Sequence, residues 1–307
     1  MADRDNTQTY YIIYNVFRDK LRCNLNVIGK EMGLSGRGQS KTTVSKYVLR
    51  MYEKQISFRP NLILRTYENS RLTAFFLKVN DPSEVTTVFK DLSQDPNISY
   101  MLLLSGKYDF FVTTRKENFK PGKMARTEKK VPLYTPVYTV PTGWKYDTST
   151  ILRKKFAYSN PAEGKIERTV EDFLYWDKIH FDMYSTMIYN AQMPFSIVAE
   201  KLHMSDTTVK KYFYENILPC CDVGHYFFPK GYDRYGQAFI LLESDYEIGL
   251  INSLSMLPCT SYIYPFEEEL GVIVFHEGVH ELMFAVKKLE ERGYIKKYIF
   301  QVPLHWE

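Results

Sequence analysis

Cysteine is scarce in this chain and irregularly placed. Cys23, Cys220, Cys221 and Cys259 are the four among 307 residues. They form neither a disulfide framework nor a paired C-x-x-C zinc site, and free thiols of this kind fit a reducing cytoplasm. Long apolar runs are absent too. No stretch of about 18 or more apolar residues occurs, which excludes a transmembrane helix. The start, Met1-Ala2-Asp3-Arg4-Asp5-Asn6, lacks the apolar core of a signal peptide. These absences predict a cytoplasmic protein with no membrane partner, no metal site and no cofactor.

What is present is an asymmetry of charge. Residues 1–150 carry 24 Lys and Arg against 14 Asp and Glu, net +10, and residues 151–307 carry 16 against 22, net −6. The overall +4 therefore hides a basic half and an acidic half. A one-sided basic field attracts a polyanion, although a solvated basic surface has the same composition. The length predicts two or more domains.

One pattern occurs twice. Ser40-Lys41-Thr42-Thr43-Val44-Ser45-Lys46-Tyr47-Val48 returns as Ser205-Asp206-Thr207-Thr208-Val209-Lys210-Lys211-Tyr212-Phe213. Each copy reads as the turn and recognition helix of a helix-turn-helix, and such a repeat sets the architecture. Before the first copy, Tyr10, Ile13, Tyr14 and Phe17 share a helical stripe, and Leu25, Ile28 and Met32 continue in a second helix. Ser40 or Thr42 caps the third helix, with Val44, Tyr47, Val48 and Met51 inward. Residues 56–66 read as a wing strand.

A β-α-β-β run follows. Residues 72–79 are a strand, Asp81-Pro82 opens a helix, and strands at 98–105 and 108–114 flank Gly106-Lys107. The next helix is missing, because 117–130 carries Pro121, Gly122, Lys120, Lys123, Arg126, Lys129 and Lys130 with little apolar periodicity. Residues 131–140 supply a last strand, at an edge because of Pro132 and Pro136. An extended connection follows. The second half then predicts helices at 176–190, 194–203 and 205–216, and an aromatic wing at 226–235. A complete β-α-β-β-α-β comes next, its last helix stopped by Gly293.

Ser40 and Ser205 lie 165 positions apart, as do Leu72 and Gln237, whereas Ser35 and Ser205 are 170 apart. The first copy thus has about five extra residues at 35–39, in a turn, where insertions belong. The expected fold class is α+β: two winged helix-turn-helix domains, 1–60 and 171–222, alternating with two ferredoxin-like βαββαβ domains, 61–145 and 223–307. Residues 146–170 are expected to be a linker.

Recognition helices set their N-terminal polar residues against base edges in the major groove. The expected DNA-contacting set is Arg37, Gln39, Ser40, Lys41, Thr42, Thr43, Ser45, Lys46 and Arg50, then Ser205, Asp206, Thr207, Thr208, Lys210 and Lys211. Residues 1–60 hold 11 basic against 5 acidic residues, and residues 178–219 hold 4 against 4. Phosphate neutralisation supplies most non-specific affinity, so the first copy is expected to dominate DNA binding.

This order of elements resembles the Lrp/AsnC (feast/famine) family of transcription regulators. Leu103-Leu104-Ser105-Gly106-Lys107-Tyr108-Asp109-Phe110-Phe111-Val112-Thr113-Thr114-Arg115 is similar to the family's strand-turn-strand, and Trp176-Asp177-Lys178-Ile179 to its helix start. The resemblance covers nearly the whole chain, twice. It implies a DNA-binding regulator and not an enzyme, with double-stranded DNA as partner. It also implies association through the ferredoxin-like domains, as a homodimer or an intrachain pseudo-dimer. A small amino-acid-like effector is placed by analogy at Gly106, Tyr108 and Asp109; a tight hairpin with no ligand is the plainer alternative. Ordinary members hold one copy per chain. Here the first sensor domain lacks a helix, and the second copy has Glu267-Glu268-Glu269-Leu270-Gly271 in place of the Gly-x-aromatic-Asp turn.

Other motifs point elsewhere. His276-Glu277-Gly278-Val279-His280 matches the H-E-x-x-H pattern of zinc hydrolases, but that chemistry needs both histidines on one helix face and a third ligand. Gly36-Arg37-Gly38-Gln39-Ser40-Lys41-Thr42 lacks the spacing of a phosphate loop. Some Lrp-like proteins act as siroheme decarboxylases; Tyr264-Pro265-Phe266 and His225 stand near their motifs and match neither spacing. A non-DNA interaction scaffold is the remaining alternative, favoured if both recognition helices pack against the protein's own surface.

Overall fold

Apolar stripes build two three-helix units. The computed structural model describes residues 4–33, 41–116 and 118–306. In the first unit, α1 (Arg4–Asp19), α2 (Leu25–Glu31) and α3 (Lys41–Glu53) enclose Tyr10, Ile13, Tyr14, Phe17, Ile28, Val44 and Met51. In the second, α6 (Lys178–Met187), α7 (Phe195–Leu202) and α8 (Asp206–Tyr212) enclose Met183, Met187, Val198 and Val209. Local chemistry sets the starts. Asn24 caps α2 through the Asn26 N–H, Asp177 and His180 form a reciprocal capping box on α6, and Ser205 caps α8 through the Thr208 N–H. His203 ends α7 in the left-handed region. Beyond α8 the helix widens into a π-turn over Phe213–Ile217.

Neither unit is completed by its own half of the chain. Strand β1 (Asn61–Leu64), which follows the first unit, pairs antiparallel with β7 (Cys221–Gly224), which follows the second. Leu62 and Leu64 enter the core of the second helical unit, and Phe227 enters that of the first.

The remaining strands form one antiparallel sheet. On one side lie β5 (Ala125–Leu133), β2 (Leu72–Val79), β4 (Phe110–Thr114) and β3 (Ile98–Ser105), with α4 (Val85–Ser93) packed against β3. On the other lie β11 (Lys297–Trp306), β8 (Gly236–Glu243), β10 (Leu270–His276) and β9 (Tyr262–Pro265), with α9 (Glu247–Leu254) and α10 (Val279–Glu291). β3 pairs with β11, and β6 (Val137–Tyr138) adds to the outer side of β9. The two ends, β5 and β6, are consecutive in the chain. A Leu133–Phe266 bridge and the Tyr134 N–H to the Pro265 carbonyl at 3.0 Å join the end of β5 to the end of β9. The sheet therefore returns on itself around aromatic side chains: Phe111 stacks on Phe239 at 5.2 Å, and Phe76 meets Phe266 at 5.7 Å.

Three sequence expectations change. The strand expected at 131–140 begins at Ala125, inside the basic segment, and breaks before β6; exposed basic residues suit an edge strand with one wet face. Residues 226–235, expected as a wing, hold an isolated antiparallel bridge from Phe227 to Ser57 and a one-turn 3-10 helix, because Phe227 and Phe228 are drawn into buried clusters. The expected linker contains a further helix, α5 (Thr148–Lys154), whose Ile151 and Leu152 are fully buried against the second half.

The rest of that linker is fastened by a buried ion pair. Arg168 makes two hydrogen bonds to the Glu247 carboxylate, at 2.8 and 2.7 Å, and Glu247 is fully buried. The Ile166 N–H adds a third at 3.0 Å. Removing one partner leaves a buried charge unmatched, at a cost of about 3–5 kcal/mol. Arg168→Ala is accordingly expected to lower unfolding free energy by that amount in urea titration, and Arg168→Met/Glu247→Leu to recover most of it.

Candidate functional site

Two surfaces carry functional chemistry. The first is the outer face of α3. Helical periodicity buries Val44 and Met51 and leaves Lys41, Thr42, Ser45, Lys46 and Arg50 exposed, with Thr43 half-buried. Arg37, Gln39 and Ser40 lie outside the described residues. On α8, Val209 is buried while Ser205, Asp206, Thr207, Lys210 and Lys211 are exposed and Thr208 is half-buried. Lys211 lies 4.0 Å from Glu215. Neither helix turns this face into the protein's own surface. That removes the condition that favoured a pure scaffold.

The residues expected to hold an effector are engaged structurally. The Asp109 carboxylate accepts from the Lys78 ammonium at 2.7 Å and the Val79 N–H at 2.8 Å. Tyr108 is buried against Phe76. Gly106 has φ +140°, and a β-carbon there would sit 3.2 Å from Gln301, whose amide donates to the Tyr108 carbonyl at 2.9 Å. The hairpin is tied down from within the fold.

The second is a cluster of tyrosines contributed by β3, β6, β9 and the segment after β7. Tyr262 and Tyr264 alternate along β9 and so share a face. Tyr138 on β6 packs on Tyr262 at 4.5 Å and on Tyr226 at 4.9 Å. Tyr100 on β3 faces Tyr264 at 6.1 Å. The Tyr138 hydroxyl accepts from the Asn61 amide at 3.2 Å, while the Asn61 carbonyl oxygen is buried without a partner. Gly224 packs against this cluster, since a β-carbon there would lie 2.6 Å from the Tyr138 ring. Desolvation raises the phenols of Tyr100, Tyr138, Tyr226, Tyr262 and Tyr264 above their usual value. Yet Tyr100, Tyr138, Tyr226 and Tyr262 keep accessible surface. They stay protonated at neutral pH, as hydrogen-bond donors and faces for stacking.

Sequence reasoning singled out Tyr264 and missed its neighbours. The available signal was abundance, 25 tyrosines in the chain, and the Tyr-x-Tyr alternation at 262–264. His225, also singled out, is fully enclosed beside the first helical unit. Its ring stacks on Tyr14 at 4.7 Å and its Nε2 meets the Ser57 hydroxyl at 2.9 Å. His276 ends β10, its ring nitrogens make no hydrogen bond, and Glu277 is paired with Lys230. Among the described residues no cluster of three metal-ligating side chains occurs, and no helix is long and apolar enough to cross a membrane.

No protein-family model and no curated protein matches the chain. Solved structures do. The chain is similar to the siroheme decarboxylase NirDL at 12% identity and TM-score 0.55, over 97% of this chain and 91% of that one. The same enzyme in co-complex with an iron-uroporphyrin III analogue gives TM-score 0.53 at 12% identity, over 96% and 90%. AsnC of E. coli matches 39% of this chain and 88% of its own at 11% identity, with TM-score 0.30. The chain thus shares a mixed α+β fold with that decarboxylase. The expectation that it is not an enzyme is overturned: the solved chains whose fold it shares nearly end to end are decarboxylases.

Burial pushes the His225 imidazole down to about 3 from 6.5. A depressed folded value means that the unfolded chain takes up the proton first. Stability is complete above pH 6.5 and declines as pH falls toward 3, by about 1.4 kcal/mol per pH unit. Urea titrations between pH 4 and 7 are expected to show this slope, and His225→Phe to flatten it by one proton.

Proposed function

We propose that the protein binds double-stranded DNA through two helix-turn-helix units, with α3 as the dominant recognition helix. One observation carries the reading. The exposed face of α3 presents Lys41, Thr42, Ser45, Lys46 and Arg50 together, and its three cations make no ion pair among the described residues. Such a face offers polar groups to base edges and positive charge to phosphates. The α8 face carries the exposed hydroxyls of Ser205 and Thr207, with Asp206 opposing Lys210 and Lys211, so it adds shape and polar contact with little net charge. Under this reading residues 1–60 and 171–222 are the reading heads, 61–145 and 223–307 the pairing domains, and the chain is an intrachain pseudo-dimer. Loss of two phosphate contacts lowers the magnitude of the salt slope by about 1.8. Lys46→Ala/Arg50→Ala is expected to show that loss in binding assays run from low to high salt, and Lys210→Ala/Lys211→Ala a smaller one. Absence of salt-dependent duplex binding by the wild type would sink the reading.

A second reading uses a different surface and coexists with the first. The tyrosine cluster, together with the whole-chain likeness to a siroheme decarboxylase, supports an enzyme acting on a carboxylate-bearing tetrapyrrole. Decarboxylation replaces a C–CO2⁻ bond by C–H, releasing CO2 and consuming one proton. It therefore needs a proton donor in a site shielded from water. The phenols of the half-buried Tyr138, Tyr226 and Tyr262 are protonated and desolvated, and remain far stronger acids than the carbanion to be quenched. The iron-uroporphyrin III analogue is expected to shift its absorbance on binding. Tyr226→Phe and Tyr262→Phe are each expected to weaken that binding about 3- to 10-fold. An unchanged spectrum at high protein concentration excludes this reading and leaves DNA binding untouched.

A further inference from the structure

Arg22 joins the two helical units. It lies in the turn between α1 and α2, yet its guanidinium stacks over Phe195 at 3.9 Å and lies 4.9 Å from the Phe213 ring centre. Phe195 opens α7, and Phe213 continues directly from α8. In the plane of the guanidinium, Nε donates to the Ala191 carbonyl at 3.0 Å and Nη2 to the Met193 carbonyl at 2.5 Å. A planar fork clamped between aromatic rings and two fixed carbonyls has one orientation.

The contact is reciprocal. Gln192 donates to the Leu21 carbonyl at 2.8 Å and accepts from the Tyr52 hydroxyl at 3.1 Å, and Tyr52 belongs to α3. Leu21 and Ala191, like Arg22 and Gln192, are 170 positions apart, the offset that relates the chain before the two recognition helices. Residue i of one unit meets the counterpart of i+1 in the other, and the converse holds, as at an isologous interface. Each recognition helix is thereby tied to the partner unit's turn: α3 through Tyr52 and Gln192, α8 through Phe213 and Arg22. The β1–β7 ladder forms a second attachment. Two attachments leave no single hinge.

We propose that Arg22 fixes the distance and angle between the two recognition helices, and so sets the spacing of the duplex half-sites the protein accepts. The second clause rests on the DNA-binding reading; the first does not. Arg22 is a positioning residue, since its guanidinium is consumed by contacts within the protein. Lysine keeps the charge but has neither the fork nor the flat face, so Arg22→Lys should fail as Arg22→Ala does.

The test has two arms on the full chain. In the first, spin labels at Lys46→Cys and Lys210→Cys, with Cys23→Ser and Cys220→Ser to clear half-exposed thiols, report the distance between recognition helices without DNA. The expected result is one narrow distribution in the Arg22 protein and a spread at least twice as wide in Arg22→Lys and Arg22→Ala. Equal widths, or a broad distribution with Arg22 present, overturn the clasp. Thermal melting of each variant separates loss of the clasp from loss of the fold, and Gln192→Ala, which cuts only the reciprocal bonds, provides a milder variant. In the second arm, duplexes are selected from a pool with variable half-site spacing. A single preferred spacing that broadens in Arg22→Lys, with an unchanged salt slope, is expected. The same spacing preference in both proteins overturns the specificity role. No selection by either protein overturns that role by way of the DNA reading, while the first arm still decides the clasp.

Discussion

The fold depends on covering an aromatic sheet face that neither half can cover alone. Helices shield the outer side of each set of four strands. The inner sides present Phe76 and Phe111 in one half and Phe239, Tyr264 and Phe266 in the other. Rings of this size dominate core energetics because burial scales with apolar area, at about 25 cal/mol per Å². Closing the sheet brings both sets together. The pairing of β3 with β11, the approach of β5 to β9 and the crossing of β1 with β7 are all consequences of that closure.

Closure also determines where polar chemistry is found. Where the aromatic seam runs out toward β1 and β7, packing gives way to hydroxyls and an amide: Tyr138, Tyr226, Tyr262 and Asn61. This cluster is thus built by both halves. Asn61 opens the strand that follows the first helical unit, while Tyr226 stands two residues beyond Gly224, the last residue of the strand after the second. The exposed faces of α3 and α8 lie elsewhere, on surfaces that closure leaves free. Recognition and ligand chemistry need not compete for the same side chains.

Elements ruled by local periodicity were legible in the sequence. The Tyr10, Ile13, Tyr14 and Phe17 stripe gives α1, and Ser205 gives the start of α8, because spacing and caps act over a few residues. The exposed face of α3 follows from the same period. What depended on distant partners was not legible. Short β1 has no signal that its partner is β7, and Ile151 and Leu152 of α5 are an apolar pair flanked by Thr148, Ser149, Thr150, Arg153, Lys154 and Lys155, too short a signal to place them in a distant core. The tyrosine cluster draws Tyr100, Tyr138, Tyr226 and Tyr262 from four separate strands or loops, and no window of sequence contains them together. His225 illustrates the converse. It was legible as chemistry, but the rings of Tyr14 and Phe17 enclose it and keep it neutral.

The crossing of β1 with β7 has a consequence for biosynthesis. Residues 61–64 leave the ribosome about 160 residues before residues 221–224 that pair with them. At about 5–20 residues per second, the nascent chain holds Leu62 and Leu64 without their ladder, and the first helical unit without Phe227, for many seconds. The N-terminal half therefore completes its packing only after the second half has been made. A chain released early would expose an apolar strand edge to its neighbours.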